Sequence, residues 1–342
     1  MTRKHRVEHV LPASNPRFIE KAAESDADVL FLDLEDAVAT TVKIPTRQTL
    51  IDAINKTDFK GKKVFIRPNN LRTKWAAGDY FHVIRAIGDK ITGVVLPKVV
   101  GPEDVDLVDR ILTGIEAEKG WKRGQIKIET LIELPSALLQ VDEIAKIIQE
   151  SGRGGALIFG LVDYIAATGG RPQMQEDQFR YPIYAKRRII ASAKAHKLMS
   201  IDGITIHIKN YEATKKDAVL SSKLGFTAKW SLHPEQIRAI IDADKETPFT
   251  VVEPSEEVKR TIDDLKAGGI FTYKPSESDD EIKPQLTQRL QQQALKDEIA
   301  DLRQMRLFLI QYRGEQLVFE RAHRIRLNFP TRRNDIEQPF GP

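Results

Sequence analysis

The chain has 342 residues, long for one compact core and short for three domains, so one large domain with an appendage is expected. It lacks cysteine, which excludes disulfides, thiolate metal sites and a cysteine nucleophile. Its 53 basic and 49 acidic residues leave a net charge of +4, too little to argue for nucleic acid but suited to an anionic, nucleotide-bearing ligand.

The basic N-terminus, MTRKHRVEHVLPAS, has no apolar run of signal-peptide length, and no stretch approaches the roughly 18 apolar residues of a membrane span. A soluble, cytoplasmic protein without nucleic-acid or membrane partners is therefore expected. In chain order, short apolar and β-branched runs predict strands at 7–14, 28–36, 63–70 and 93–99. Four more follow at 127–134, 156–163, 200–205 and 227–234. The intervening segments, among them RQTLIDAIN, EDVDLVDRILTGIEAE and YAKRRIIASAKAH, carry apolar residues at i, i+3 and i+4 and predict helices.

Strand and helix thus alternate over about 240 residues, the pattern of parallel βα units. Near each strand end stands an ionisable residue: Glu35, Arg67, Lys98, Glu133, Asp163, Asp202 and His233, spaced 30 to 39 residues apart. A (β/α)₈ TIM barrel has that period and builds its active site at the C-terminal rim from several strands. An open doubly wound sheet is the alternative, disfavoured because no Gly-rich fingerprint follows the first strand. The expected domains are a catalytic barrel over 1–245, a C-terminal lid segment over 246–284 and a helical, basic extension over 285–342.

Glu133 and Asp163 end neighbouring strands and offer two hard oxygen ligands on one rim, an arrangement that suits Mg²⁺, with Mn²⁺ as a substitute. Taken singly, each is equally well explained as the cap of the next helix. LDLED at 32–36 is too acidic to sit dry without partners, and Arg67 and Lys98 are the candidates. Glu35 and Asp36 then orient Arg67 or metal-bound water, or simply form an acidic helix start. Arg67 has the planar fork for a carboxylate or enolate oxygen, a role compatible with an ion pair to Glu35. Lys98 also fits a Schiff-base lysine. The seven histidines show no HExxH motif, which argues against a catalytic zinc site, and His233 is expected to be structural.

These residues fall in segments that resemble the citrate lyase β-subunit-like family, and within it the malyl-CoA/β-methylmalyl-CoA lyases. The segments include LPASNPRFIEKA, FLDLEDAV, IRPNNLRTKW, VVLPKVVGPED, LIELPSALL, FGLVDYIAATGG and GFTAKWSLHPEQI, in order. The resemblance implies Mg²⁺ on Glu133 and Asp163, Arg67 at the thioester enolate, and a catalytic acid donated by a lid that crosses to a neighbouring subunit of a homo-oligomer, a trimer or hexamer. It points to Asp279, with Asp280 beside it, although the surround KPSESDD departs from the family pattern. Lys21, Lys98 and Pro234 are expected near the CoA thioester. The implied reaction is reversible cleavage of malyl-CoA or β-methylmalyl-CoA to glyoxylate and acetyl- or propionyl-CoA. A citramalyl-CoA lyase, a malate synthase-like enzyme, a Schiff-base aldolase using Lys98 and a non-catalytic barrel subunit remain as alternatives.

Overall fold

The computed structural model describes residues 5–170 and 182–249. Eight parallel strands form one closed barrel in sequence order. They are β1 (Val7–Pro12), β2 (Val29–Asp33), β3 (Lys63–Arg67), β4 (Gly93–Leu96), β5 (Lys127–Ile132), β6 (Gly155–Phe159), β7 (Met199–Asp202) and β8 (Ala228–Ser231). The ring closes through Val7 opposite Lys229 and His9 opposite Ser231.

Both strand faces are buried, which explains the nearly unbroken apolar runs. Because side chains alternate, each strand supplies two separate cores. In β2, Val29 and Phe31 enter the barrel interior, whereas Leu30 and Leu32 pack outward under the helices. Phe31 lies 4.6 Å from Trp230 of β8, ring centre to ring centre, and fills the interior. Truncating such an aromatic costs roughly 3–5 kcal/mol.

All eight expected strands are present. Between β3 and β4 the chain forms a π-helical stretch, Asp79–Ile84, between short α-helices at Ala76–Gly78 and Arg85–Ile87. Asp79 is buried there and accepts hydrogen bonds from Arg47 Nε at 2.8 Å and the Asn69 amide at 2.8 Å. Helix Pro234–Glu246 follows β8, with His233 as its N-cap accepting from the Glu235 amide.

Two expectations need correction. Strand β6 stops at Phe159, so Asp163 does not end a strand; it lies in the first turn of helix Leu161–Ala167. Asp202 does end β7 but faces away from the barrel axis, because its neighbour Ile201 fills the interior. Asp202 accepts from Lys186 Nζ at 2.7 Å and from the Ser221 hydroxyl, with Lys229 Nζ 3.3 Å away. Burial pushes its carboxyl up, but the two lysines outweigh this and hold it at about 2. Asp202 therefore ties the barrel to its helices and is not a rim group. The lid segment from residue 250 onward and the extension over 285–342 lie outside the described residues. Among the described residues, no helix is long and apolar enough to cross a membrane.

Candidate active site

At the C-terminal mouth, the ends of β2 to β6 gather one connected set of charges. Asp33 closes β2 pointing inward, two residues beyond Phe31. It takes Arg67 in a fork, through Nε at 2.7 Å and Nη2 at 2.5 Å. Its two oxygens also accept the amides of Glu35 and Ala37. Burial would pull the Arg67 guanidinium down, but Asp33, Glu35 and Glu133 raise it above its ordinary value. Arg67 is a fixed cation held by its strand neighbour, and among the described residues no acceptor bonds its Nη1.

Glu35 follows on the loop after β2. Its Oε1 accepts Lys98 Nζ at 2.9 Å; its buried Oε2 lies 3.5 Å from Arg67 Nε and takes no hydrogen bond among the described residues. Burial raises its carboxyl, and Arg67 and Lys98 offset this only in part. Exposed Asp36 binds the same ammonium at 2.9 Å, and that contact outweighs burial and lowers it.

Lys98 links the two halves of the site. Its backbone has φ +50°, a left-handed conformation costing about 1 kcal/mol or more for a residue with a Cβ. In that pose its amide donates to Glu133 Oε1 at 2.7 Å, while its ammonium reaches Glu35, Asp36 and, at 3.7 Å, Asp163. Burial lowers the ammonium, but Asp36 and Glu35 outweigh it and raise it. A lysine held this firmly as a cation is a poor Schiff-base nucleophile, which counts against the aldolase alternative.

Glu133, just past β5, is 2% exposed. Burial first, then the charge of Asp163, pushes its carboxyl up to about 7, against the pull of the Lys98 amide and Arg67. Glu133 and Asp163 share Lys98 as a neighbour, although one stands at a strand end and the other on the next helix. Gly160 makes room for Glu133: a Cβ there would stand 2.4 Å from Glu133 Cβ and 2.8 Å from its Oε2.

The donor set fits a divalent cation. Five carboxylates (Asp33, Glu35, Asp36, Glu133 and Asp163) face Arg67 and Lys98, with buried Lys43 on the Leu34 and Glu35 carbonyls as a third cation, and one buried carboxylate oxygen lacks a donor. Oxygen-only ligands with an excess of negative charge suit Mg²⁺ or Mn²⁺.

The other expected residues lie apart. Lys21 and Pro234 are exposed and line a cavity of about 430 Å³, with His9, Pro12, Phe18 and His233, at the ends of β1 and β8. The lining shares no residue with the acidic cluster. His9 there is held neutral, its imidazole pushed down to about 4 by burial, with Ser231 Oγ 3.0 Å from Nδ1. Asp279 and Asp280 lie outside the described residues. Sequence reasoning named Glu35 as the partner of Arg67; Glu35 does form an ion pair with it at 3.5 Å, but Asp33 makes the closer, two-bonded fork. Strand alternation carried that signal, since Asp33 shares a face with Val29 and Phe31. Nothing in the sequence marked His9 or Gly160.

A closed parallel barrel with charged groups drawn from five strand ends onto its C-terminal mouth defines a (β/α)₈ enzyme. The model of the HpcH/HpaI aldolase/citrate lyase family matches residues 7–234; the chain belongs to that family and is a carbon–carbon lyase. It is 31% identical over 272 residues to the L-malyl-CoA/β-methylmalyl-CoA lyase of Rhodobacter capsulatus, covering 75% of this chain and 84% of that one. It is 30% identical to the malyl-CoA/β-methylmalyl-CoA/citramalyl-CoA lyase of Chloroflexus aurantiacus, over 69% and 73% of the two chains. Among solved structures, the CitE protein of Mycobacterium tuberculosis in complex with magnesium and acetoacetate superimposes with a TM-score of 0.60 at 22% identity. That match covers 78% of this chain and all of the other, and it supports the barrel fold.

Proposed function

We propose that the chain is a Mg²⁺-dependent acyl-CoA lyase that reversibly cleaves malyl-CoA or β-methylmalyl-CoA to glyoxylate and acetyl-CoA or propionyl-CoA. The observation that carries this reading is Lys98 touching both acids, Glu133 through its amide at 2.7 Å and Asp163 through its ammonium at 3.7 Å, beside an Arg67 paired with Asp33 in a mouth with more carboxylates than cations. The similarity to lyases named for these substrates supports the choice of thioester.

In this reading Glu133 and Asp163 hold the ion, which when bound supplies Lewis-acid stabilisation of developing oxygen charge. Arg67, immobilised by Asp33, presents Nη1 to the thioester oxygen where enolate charge develops as the carbon–carbon bond breaks. Lys98 keeps Glu35 and Asp36 neutralised and fixes the Glu133 oxygen through its amide. Asp279, on the lid segment 246–284 of a neighbouring subunit, protonates the enolate carbon, and in the reverse direction removes the α-proton. Lys21 and Pro234 border the recess assigned to the CoA moiety, and residues 285–342 form an oligomer-contact arm.

The test is turnover against malyl-, β-methylmalyl-, citramalyl- and citryl-CoA, with Mg²⁺ and with EDTA, following free CoA as well as the oxo acid. Cleavage of malyl- or β-methylmalyl-CoA, abolished by EDTA, is expected. Activity that survives EDTA and is trapped by borohydride overturns the proposal.

A further inference from the structure

The opposite end of the barrel carries a second set of ligand-type side chains that the lyase chemistry does not use. Glu8 on β1 and Glu129 on β5 come from opposite walls of an eight-stranded barrel. The interior of such a barrel is just wide enough for side chains to meet across it. Both are buried, Glu8 at 0% and Glu129 at 1% exposure. Glu129 shares the inward face with Leu131 and Glu133, four residues further on, so the two sites lie about 13 Å apart along the strand. Glu8 Oε2 accepts from Trp230 Nε1 at 2.7 Å, and its Oε1 lies 2.6 Å from His5 Nε2. Glu129 Oε2 is buried and has no hydrogen-bond partner among the described residues. His5, Glu8 and Glu129 each bring one ligand atom within 4.8 Å of the others.

We propose that His5, Glu8 and Glu129 form a structural site for a divalent cation of the zinc type, pinning β1 to β5 across the floor of the barrel. One imidazole nitrogen and two carboxylate oxygens suit a borderline ion such as Zn²⁺ better than Mg²⁺, which prefers oxygen alone. Two facing carboxylates in a dry interior need positive charge, and Lys63 supplies only one. Lys63 Nζ lies 3.3 Å from His5 Nδ1, so ligation through Nε2 moves the imidazole proton to Nδ1 and turns that flexible ammonium away. The floor of a (β/α)₈ barrel serves stability while the opposite rim serves catalysis, which matches a structural role.

Equilibrium dialysis of the full-length, metal-stripped chain against Zn²⁺, with metal analysis and thermal melts, tests the site. The Glu133→Gln background separates it from the mouth, whatever the role of Glu133. In that background one equivalent of zinc and a zinc-dependent rise in Tm are expected. Adding Glu129→Gln or, at the half-buried edge, His5→Gln should abolish both, and Lys63→Met should tighten binding. Zinc content unchanged by Glu129→Gln and by His5→Gln overturns the proposal. So does a metal-free Glu129→Gln protein that melts higher with zinc content unaltered, because the two carboxyls then share a proton instead.

Discussion

Replacing Glu133 with Gln should make the metal-free protein more stable while abolishing its turnover. Burial and Asp163 raise the Glu133 carboxyl from 4.5 to about 7. A carboxyl raised on folding favours the folded state fully below its unfolded pKa and loses that contribution as pH rises through the folded value. At about 1.4 kcal/mol per pH unit, the metal-free wild type should lose about 3 kcal/mol between pH 4.5 and 7. Glutamine has no charge to desolvate, and its carbonyl oxygen still accepts the Lys98 amide now bound at 2.7 Å. At pH 8 in EDTA, Glu133→Gln should melt roughly 6–12 °C above wild type, and most of the gap should close at pH 5. Thermal melts at the two pH values read this directly. A variant no more stable than wild type at pH 8, or more stable by the same amount at both, refutes the reasoning. With Mg²⁺ restored the order should reverse, because only wild type gains the ion's binding energy.

Gly160→Ala should displace Glu133, whose Cβ lies 2.4 Å from the added methyl, and raise the Mg²⁺ concentration for half-maximal turnover at least tenfold; an unchanged Mg²⁺ titration would show that Glu133 is not a ligand. Asp33→Asn leaves the buried guanidinium of Arg67 without its fork partner, and urea unfolding should report a loss of about 3–5 kcal/mol with turnover abolished. A loss below about 1 kcal/mol would mean that Glu35 can replace Asp33. Asp279→Asn should bind Mg²⁺ and CoA as wild type does and lose turnover; normal activity would move the acid elsewhere.

The barrel was legible because strands buried on both faces must be apolar throughout, and eight such runs alternated with helical periodicity. The strand-to-helix boundary before Asp163 was not legible. Leu161 and Val162 prolong the apolar run past Gly160, and a seven-residue helix is too short to show its period. Helix Pro234–Glu246 was passed over although Ile237, Ile240 and Ala243 carry the helical spacing. Residue types drew attention to Glu35, Arg67, Lys98, Glu133 and Asp163, and the structure brings them together. Their pairing was hidden because LDLED offers Arg67 three acids, and only the pleat selects Asp33. The left-handed turn at Lys98 gave no sign, since neither glycine nor asparagine marks it.

That turn gives position 98 two jobs that no other residue type performs together. Glycine would adopt φ +50° without strain and keep the amide on Glu133, but it would strip the ammonium from Glu35, Asp36 and Asp163. Arginine would keep the charge but carry a wide plane in place of a compact head. Under the proposed function, an ion held by Glu133 and Asp163 would repel the ammonium 3.7 Å from Asp163, which already rests on Glu35 and Asp36 at 2.9 Å. On that proposal the loop after β4 would act as ballast: loading the mouth would press the lysine's charge onto Glu35 and Asp36, while Arg67 would stay on its Asp33 fork.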